Sequence, residues 1–243
     1  MSQNEIDLHM GRGIGTYGKV VRGSLRPTEQ YTWELAETLD LSEGEFVTVF
    51  RHWHRRDPAR PLRATKLQLA STWQGVIERQ VDMAYMSDAS SDMIMCNEPF
   101  LRLFPSKKAP PNSMEWMLFS EEARDGTLID WEGGSGGWLT VWAPRILPTL
   151  RAALDTMPNN RKLNELRQRV VEDADLEPVW NGPRPPYVTP DADIRPIKHD
   201  ELGPGRVEII FASPLTSPLN HFVLLVFQKG LHDPAKNVSV PAG

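Results

Sequence analysis

Between Arg12 and Arg26 the chain carries four basic side chains, Arg12, Lys19, Arg22 and Arg26, and no acidic one. A local excess of positive charge of this kind suits the phosphate backbone of a nucleic acid. Other residues that could do chemistry are less suggestive. His52 and His54 stand two apart with no third metal ligand at a usable spacing, which fits a solvated helix end better than a zinc site. His199 and Asp200 have the composition of an acid–base pair, yet they lie in a charged, turn-like stretch with no nucleophile beside them. The run Gly133-Gly-Ser-Gly-Gly137 reads as an unusually flexible stretch, and it lacks the Gly-Lys-Ser/Thr ending that gives a phosphate loop its charge and metal ligand. Cys96, the single cysteine, sits in an apolar run as a small buried hydrophobe, and one cysteine permits no intrachain disulfide. These residues argue against an enzyme and imply neither a cofactor nor a metal.

The basic run has to be held by helices. Ser2 followed by Glu5 is a capping box, and Ile6 and Met10 share one face of the helix it starts. Gly11-Arg12-Gly13 turns the chain. Tyr17, Val20 and Val21 then give an inward stripe at helical spacing, with Gly23 at the place of a left-handed C-terminal cap. Thr28 caps a third helix to about Leu39, with Tyr31, Leu35 and Leu39 on one face, and a fourth runs from Glu43 to about His54. The charged, proline-bearing stretch that follows reads as a linker. The expected divisions are 1–54, a linker at 55–65, a second domain at 66–232 and a tail at 233–243.

In the second domain, Lys66 to Arg79 reads as a helix, and Met83–Met86 and Asp92–Cys96 as a hairpin. Asn97 caps a short helix that has a proline near its start. Helices are expected at Met114–Phe119, Trp138–Met157 (with breaks at Pro144 and Pro148) and Arg161–Asp173. Three strands follow, at Asp193–Lys198, Arg206–Ser213 and His221–Gln228. Two strands, a helical middle and three strands predict an α+β domain built on an antiparallel sheet of about five strands.

Charge is unevenly placed. The first 63 residues hold nine Lys/Arg and nine Asp/Glu, so the remainder carries the whole formal charge of −5. That total excludes indiscriminate polyanion binding, while a basic patch on one face can still dock DNA. The longest apolar stretch, Phe222 to Phe227, is far too short to span a bilayer, and the polar N-terminus has no signal segment. The expectation is a cytoplasmic protein with no membrane partner.

Taken in order, these parts resemble a known family. The chain over about residues 2 to 230 resembles the MmyB-like transcription regulators of actinobacteria, which join an XRE-type helix-turn-helix to a PAS-like ligand-binding domain. The resemblance rests on Gln3 opening the second family helix, Met10-Gly11 at the turn, and the run Thr16 to Gly23. Pro27, the run Leu35-Ala-Glu-Thr-Leu39, a hairpin closing on Asn97, Asp130-Trp131-Glu132 and Trp180 add to it. The sequence departs from the family in several places. The family's first helix has no room before Gln3, Val21 replaces a glutamate, and the His-Asp pair expected after Trp180 is missing. Gly15 and Gly18 each weaken the second helix by roughly 1 kcal/mol relative to alanine.

The resemblance implies an all-α helix-turn-helix followed by a PAS-like α+β domain, and double-stranded DNA as a partner. Gln3 and Arg22 would lie near phosphates, Thr16 and Lys19 would face the major groove, and Arg26 would reach phosphate from the loop; a solvated helical face, with Arg26 paired to Glu29, is the plain alternative. It further implies a small apolar, fatty-acid-like ligand between sheet and helices, in a cavity lined by Met93, Met95, Trp116, Phe119, Trp131 and Phe211. A homodimer is expected, because two half-sites bound together gain specificity. A second reading is a small-molecule or lipid sensor whose helix-turn-helix is degenerate and acts through protein contacts.

Overall fold

Two serines open helices by the same local device. In the computed structural model Ser2 Oγ accepts the Glu5 N–H while Glu5 Oε2 accepts the Ser2 N–H at 2.6 Å, starting α1 (Gln3–His9). Ser42 and Glu45 repeat the arrangement at α4 (Glu43–His54). Thr28 caps α3 (Glu29–Thr38) through the Tyr31 N–H. Each such cap satisfies a backbone donor that the helix leaves open and contributes about 1 kcal/mol. α2 (Thr16–Val21) ends on Gly23, whose φ of +72° lets its N–H reach Val20 O and that of Ser24 reach Lys19 O, a Schellman closure.

The structure describes residues 1–58, 62, 70–183, 192–214, 217 and 220–233. The chain divides into two compact units, residues 1–66 with 214–219, and residues 67–213 with 220–243.

In the first unit, Ile6, Val20, Tyr31 and Leu35 form one buried cluster, and Ala36, Phe46, Val47, Phe50 and Leu62 another. Burying side chains such as Phe46 and Phe50 contributes about 1.5–3 kcal/mol each. The expected inward stripe on α2 is only partly realised. Tyr17 and Val20 pack inward, but Val21 is 56% exposed, because the helix is rotated to bury Gly18 in its place. The linker expected from residue 55 is tied to this unit at three described positions. Arg56 pairs with Glu29, Asp57 pairs with Arg51, and Leu62 is buried with its N–H on the Glu43 carboxylate at 3.0 and 3.1 Å. Arg60 and Arg63 lie outside the described residues.

The second unit is α+β. After α5 (Ala70–Glu78), β1 (Met83–Ser87) and β2 (Met93–Cys96) form the hairpin; residues 66–69 of the helix expected here lie outside the described residues. The helical section comprises α6 (Glu98–Leu101), α7 (Ser113–Phe119), a π-helix π1 (Glu122–Thr127), a second π-helix π2 (Trp138–Trp142), α8 (Ala143–Thr156), α9 (Arg161–Glu172) and α10 (Leu176–Asn181). Strands β3 (Asp193–His199), β4 (Gly203–Ala212) and β5 (His221–Lys229) complete an antiparallel sheet of order β2-β1-β5-β4-β3. Neither proline breaks α8. Pro144 sits in its first turn, where a missing N–H costs nothing, and the helix continues past Pro148; the irregularity lies before them, in π2.

Alternation along the strands gives the sheet two apolar faces. Met83, Tyr85, Val207, Ile209, Val223 and Leu225 face the helical layer, while Ala84, Met86, Phe222 and Leu224 pack with Trp73 and Ile77 of α5. The glycine run after Asp130 is a closed loop rather than a slack one. Asp130 accepts the N–H groups of Glu132 and Gly134, and a Cβ on Gly137 would lie 1.8 Å from the Ile129 carbonyl carbon.

Candidate nucleic-acid interface and candidate ligand cavity

Three cations of the first unit are neutralised locally: Arg12 by Glu34, Arg51 by Asp57 and Arg56 by Glu29. The pairing of Arg26 with Glu29 that was one expectation is therefore not found, since Glu29 is taken by Arg56. Lys19, Arg22, Arg26 and Arg55 are exposed and form no ion pair among the described residues. Opposite charges thus cancel elsewhere on this unit and leave α2 and the loop after it basic.

Gln3 and Arg22 meet over Gly18. A Cβ on Gly18 would lie 3.1 Å from Gln3 Oε1 and 3.2 Å from Arg22 Nη1, so a glycine on α2 lets the start of α1 and the end of α2 bring an amide and a guanidinium to one spot. Thr16 is less available than expected: it is half-buried, and its hydroxyl donates to Gly13 O at 2.6 Å. Lys19 is exposed on the same helix.

The start of α2 depends on a residue that the sequence pattern did not single out. Gly15 supplies no side-chain cap, and Asp7 of α1 takes its place, accepting the N–H groups of Gly15 and Tyr17 at 2.7 and 2.8 Å. Asp7 is fully buried. Only its position between Ile6 and Leu8, a carboxylate near the buried stripe, could have hinted at this.

In the second unit a cavity of about 70 Å³ lies between the sheet and the helical layer. Of the six expected lining residues, Trp116 and Phe211 line it. Phe104, Leu128, Trp142 and Ile209 supply much of the remaining apolar wall. Met93 packs into the same core without lining the cavity, and Met95 is on the other face of the sheet with Ile77 and Met86. The two methionines are separated by a β-bulge: Met86 pairs with Met95 and Ser87 with Met93, so Ile94 is the extra residue and reverses the facing. Phe119 carries the Arg169 guanidinium over its ring at 4.0 Å, with that of Arg124 at 5.9 Å, and does not line the cavity; Trp131 is half-buried in the Asp130 loop and does not line it either.

Polar groups at the cavity wall are Tyr85, Ser113 and Arg195. Burial pushes the Tyr85 phenol up to about 12, against the opposing effects of a hydrogen bond with Ser113 and the charge of Arg195. Tyr85 is therefore a neutral donor at any ordinary pH. Arg195 is 5% exposed, with its Nε on Asp193 at 2.7 Å and its guanidinium over the Trp142 ring.

The remaining candidates have structural duties. His54 stacks on Phe50 and shares a 2.9 Å hydrogen bond with the Thr32 hydroxyl, so it is not the solvated end expected from sequence. His199 is buried with its Nδ1 accepting the N–H groups of Glu201 and Leu202. Asn97 caps α6 and also ties β1 to the preceding turn, through Ala84 N, Gln80 O and Asp82 O. Cys96 is half-buried, and burial raises its thiol pKa, with Glu98 adding to the shift. Among the described residues no group of three His, Cys, Asp or Glu side chains could hold a metal, and no helix is long and apolar enough to cross a membrane.

Set against known proteins, the chain matches no protein-family model and no curated protein.

Proposed function

We propose that this chain is a ligand-responsive DNA-binding transcription regulator of the cytoplasm. Its first unit acts as a helix-turn-helix with α2 as the reading helix, and its second as a PAS-like domain that takes a small apolar ligand. The observation that carries the reading is the convergence of Gln3 and Arg22 over Gly18 beside Lys19, on a unit whose other described cations, apart from Arg26 and Arg55, are already paired. An amide and a guanidinium at one spot suit a phosphate, and Lys19 is then free to enter the groove. Two copies would be needed to read two half-sites, hence a homodimer.

The cavity supports the ligand half in a specific way. An apolar cavity of about 150 Å³ holds benzene, so 70 Å³ is too small for a fatty-acid chain without displacement of the wall. Phe211, which lines it and is 41% exposed, is the side chain best placed to move. Ligand binding then requires a change of shape, which is what a ligand-controlled regulator needs.

The test is enrichment of genomic fragments by the purified full chain at low salt. Recovery of a shared sequence, lost in Lys19→Ala/Arg22→Ala, supports the reading; recovery of no sequence sinks it. A second reading, a sensor acting through protein contacts, is favoured by large apolar side chains that the first unit exposes, among them Leu8, Ile14, Val21 and Leu25. Stable capture of a protein partner without DNA enrichment would select it.

A further inference from the structure

The first unit also has a concave surface whose lining does not include Gln3, Gly18 or Arg22. An open cleft of about 420 Å³ lies between the end of α2 and the end of α4. Its apolar lining includes Val21, Leu25 and Trp53, and its polar groups are Arg26, His52 and Arg55. Among the described residues no acidic side chain lines it. Arg26 and Arg55 are far apart in sequence, yet they arrive at the same cleft, and neither forms an ion pair among the described residues.

Arg55 is held there at a conformational cost. It ends α4 with φ +59° and ψ +24°, a left-handed conformation that favours glycine, and its N–H closes on Arg51 O. A glycine would close the helix with less strain, so the cap itself does not require the arginine side chain. Two guanidiniums without an ion pair, in a cleft with no carboxylate among its described lining residues, suit a polyanion.

We propose that this cleft is a phosphate-binding site for duplex DNA, where Arg26 and Arg55 each meet one backbone phosphodiester. The proposal rests on reading the first unit as DNA-binding and adds to it a contact made from the end of α4. These contacts position the duplex and carry no sequence information, so they add affinity equally on every sequence. Like charge disfavours the cleft of one copy facing the same cleft of another.

The test uses the full chain and a random-sequence duplex, with affinity measured by fluorescence anisotropy between 50 and 200 mM salt. Arg26→Ala/Arg55→Gly is expected to lower the slope of log affinity against log salt by about 1.8, since each phosphate contact contributes about 0.9. Arg55→Gly also relieves the left-handed strain, so its melting temperature should hold or rise while affinity falls, which separates a lost contact from a damaged fold. Arg55→Lys should keep the slope. An unchanged slope in the double variant, with the slope still reduced by Lys19→Ala/Arg22→Ala, overturns the cleft and leaves the DNA-binding reading standing. An unchanged slope with dissociation of a dimer in native mass spectrometry assigns the cleft to self-contact and also overturns it. Absence of binding by the unaltered chain removes both readings together.

Discussion

The Asp7 carboxylate caps a helix to which it does not belong: one oxygen accepts the Tyr17 N–H at 2.8 Å, and the other the Gly15 N–H at 2.7 Å. The turn between α1 and α2 is thereby closed by a buried, charge-assisted pair of hydrogen bonds. Asp7→Ala leaves both donors unsatisfied and is expected to cost about 2–3 kcal/mol. Asp7→Asn keeps one acceptor oxygen and should lose less. Hydrogen exchange at the Gly15 and Tyr17 amides reads the effect directly, and protection that survives Asp7→Ala would show that the cap does not matter.

Tyr31 presents the opposite case. Its ring is buried, and its hydroxyl has no hydrogen-bond partner among the described residues. Burial raises its pKa, with the charge of Asp7 adding to the shift, so the phenol stays neutral. Tyr31→Phe removes an unsatisfied polar atom and is expected to leave stability unchanged or to raise it by up to about 1 kcal/mol. A clear loss in urea denaturation would reveal a partner for the hydroxyl.

Three histidines make the fold sensitive to mild acid. Burial lowers the pKa of His54, His199 and His221, outweighing Glu29 at His54, Glu201 at His199 and Asp88 at His221. In each case the unfolded chain binds the proton more readily than the folded one, so stability rises with pH through this range. Their contribution is fully present above the ordinary histidine value of about 6.5 and is lost as pH falls below it. Melting temperatures at pH 7.5 and 5.5 should differ, and the gap should narrow in His54→Gln. An equal melting temperature at both values would contradict the assignment.

Two glycines of the helical section should respond differently to a methyl group. At Gly137 a Cβ would overlap the backbone of Ile129 and Asp130, and at Gly126 it would meet nothing within 4 Å. Gly137→Ala is expected to destabilise by roughly 3 kcal/mol or more, and Gly126→Ala to be near neutral, because a backbone crossing cannot give way as a side chain can. Thermal unfolding of the two variants side by side decides it.

The cavity prediction concerns Phe211. Phe211→Ala removes an aromatic ring from a partly exposed wall and should let a fluorescent fatty-acid probe bind faster and more tightly than to the unaltered chain. Binding indifferent to this change would place the ligand elsewhere.

How much of this was legible beforehand follows the range of the interactions. The capping box at Ser2, the Asn97 cap and the five strands depend on neighbours in sequence; the structure has both caps, and the strand ends lie within a residue or two of the expected bounds except at β4, which begins at Gly203 rather than Arg206. Features set by distant partners were not legible. Asp7 looks like an ordinary surface acid until α2 folds over it. Met93 and Met95 look like one face until the bulge at Ile94 separates them. Phe119 looks like a cavity residue until Arg169, from α9, lays its guanidinium over the ring. Val21 fits the inward stripe as well as Val20 does, and only the burial of Gly18 decides between them.

The Leu62 contact with Glu43 alters what counts as an autonomous piece of this protein. A recombinant or proteolytic fragment cut after Arg55 would end where α4 ends, but it would forfeit Leu62 from the cluster around Phe46 and Phe50 and the backbone N–H that faces a buried carboxylate. Ownership of the polypeptide by the first unit thus extends past its last helix. A fragment reaching residue 62 should refold where the shorter one collapses.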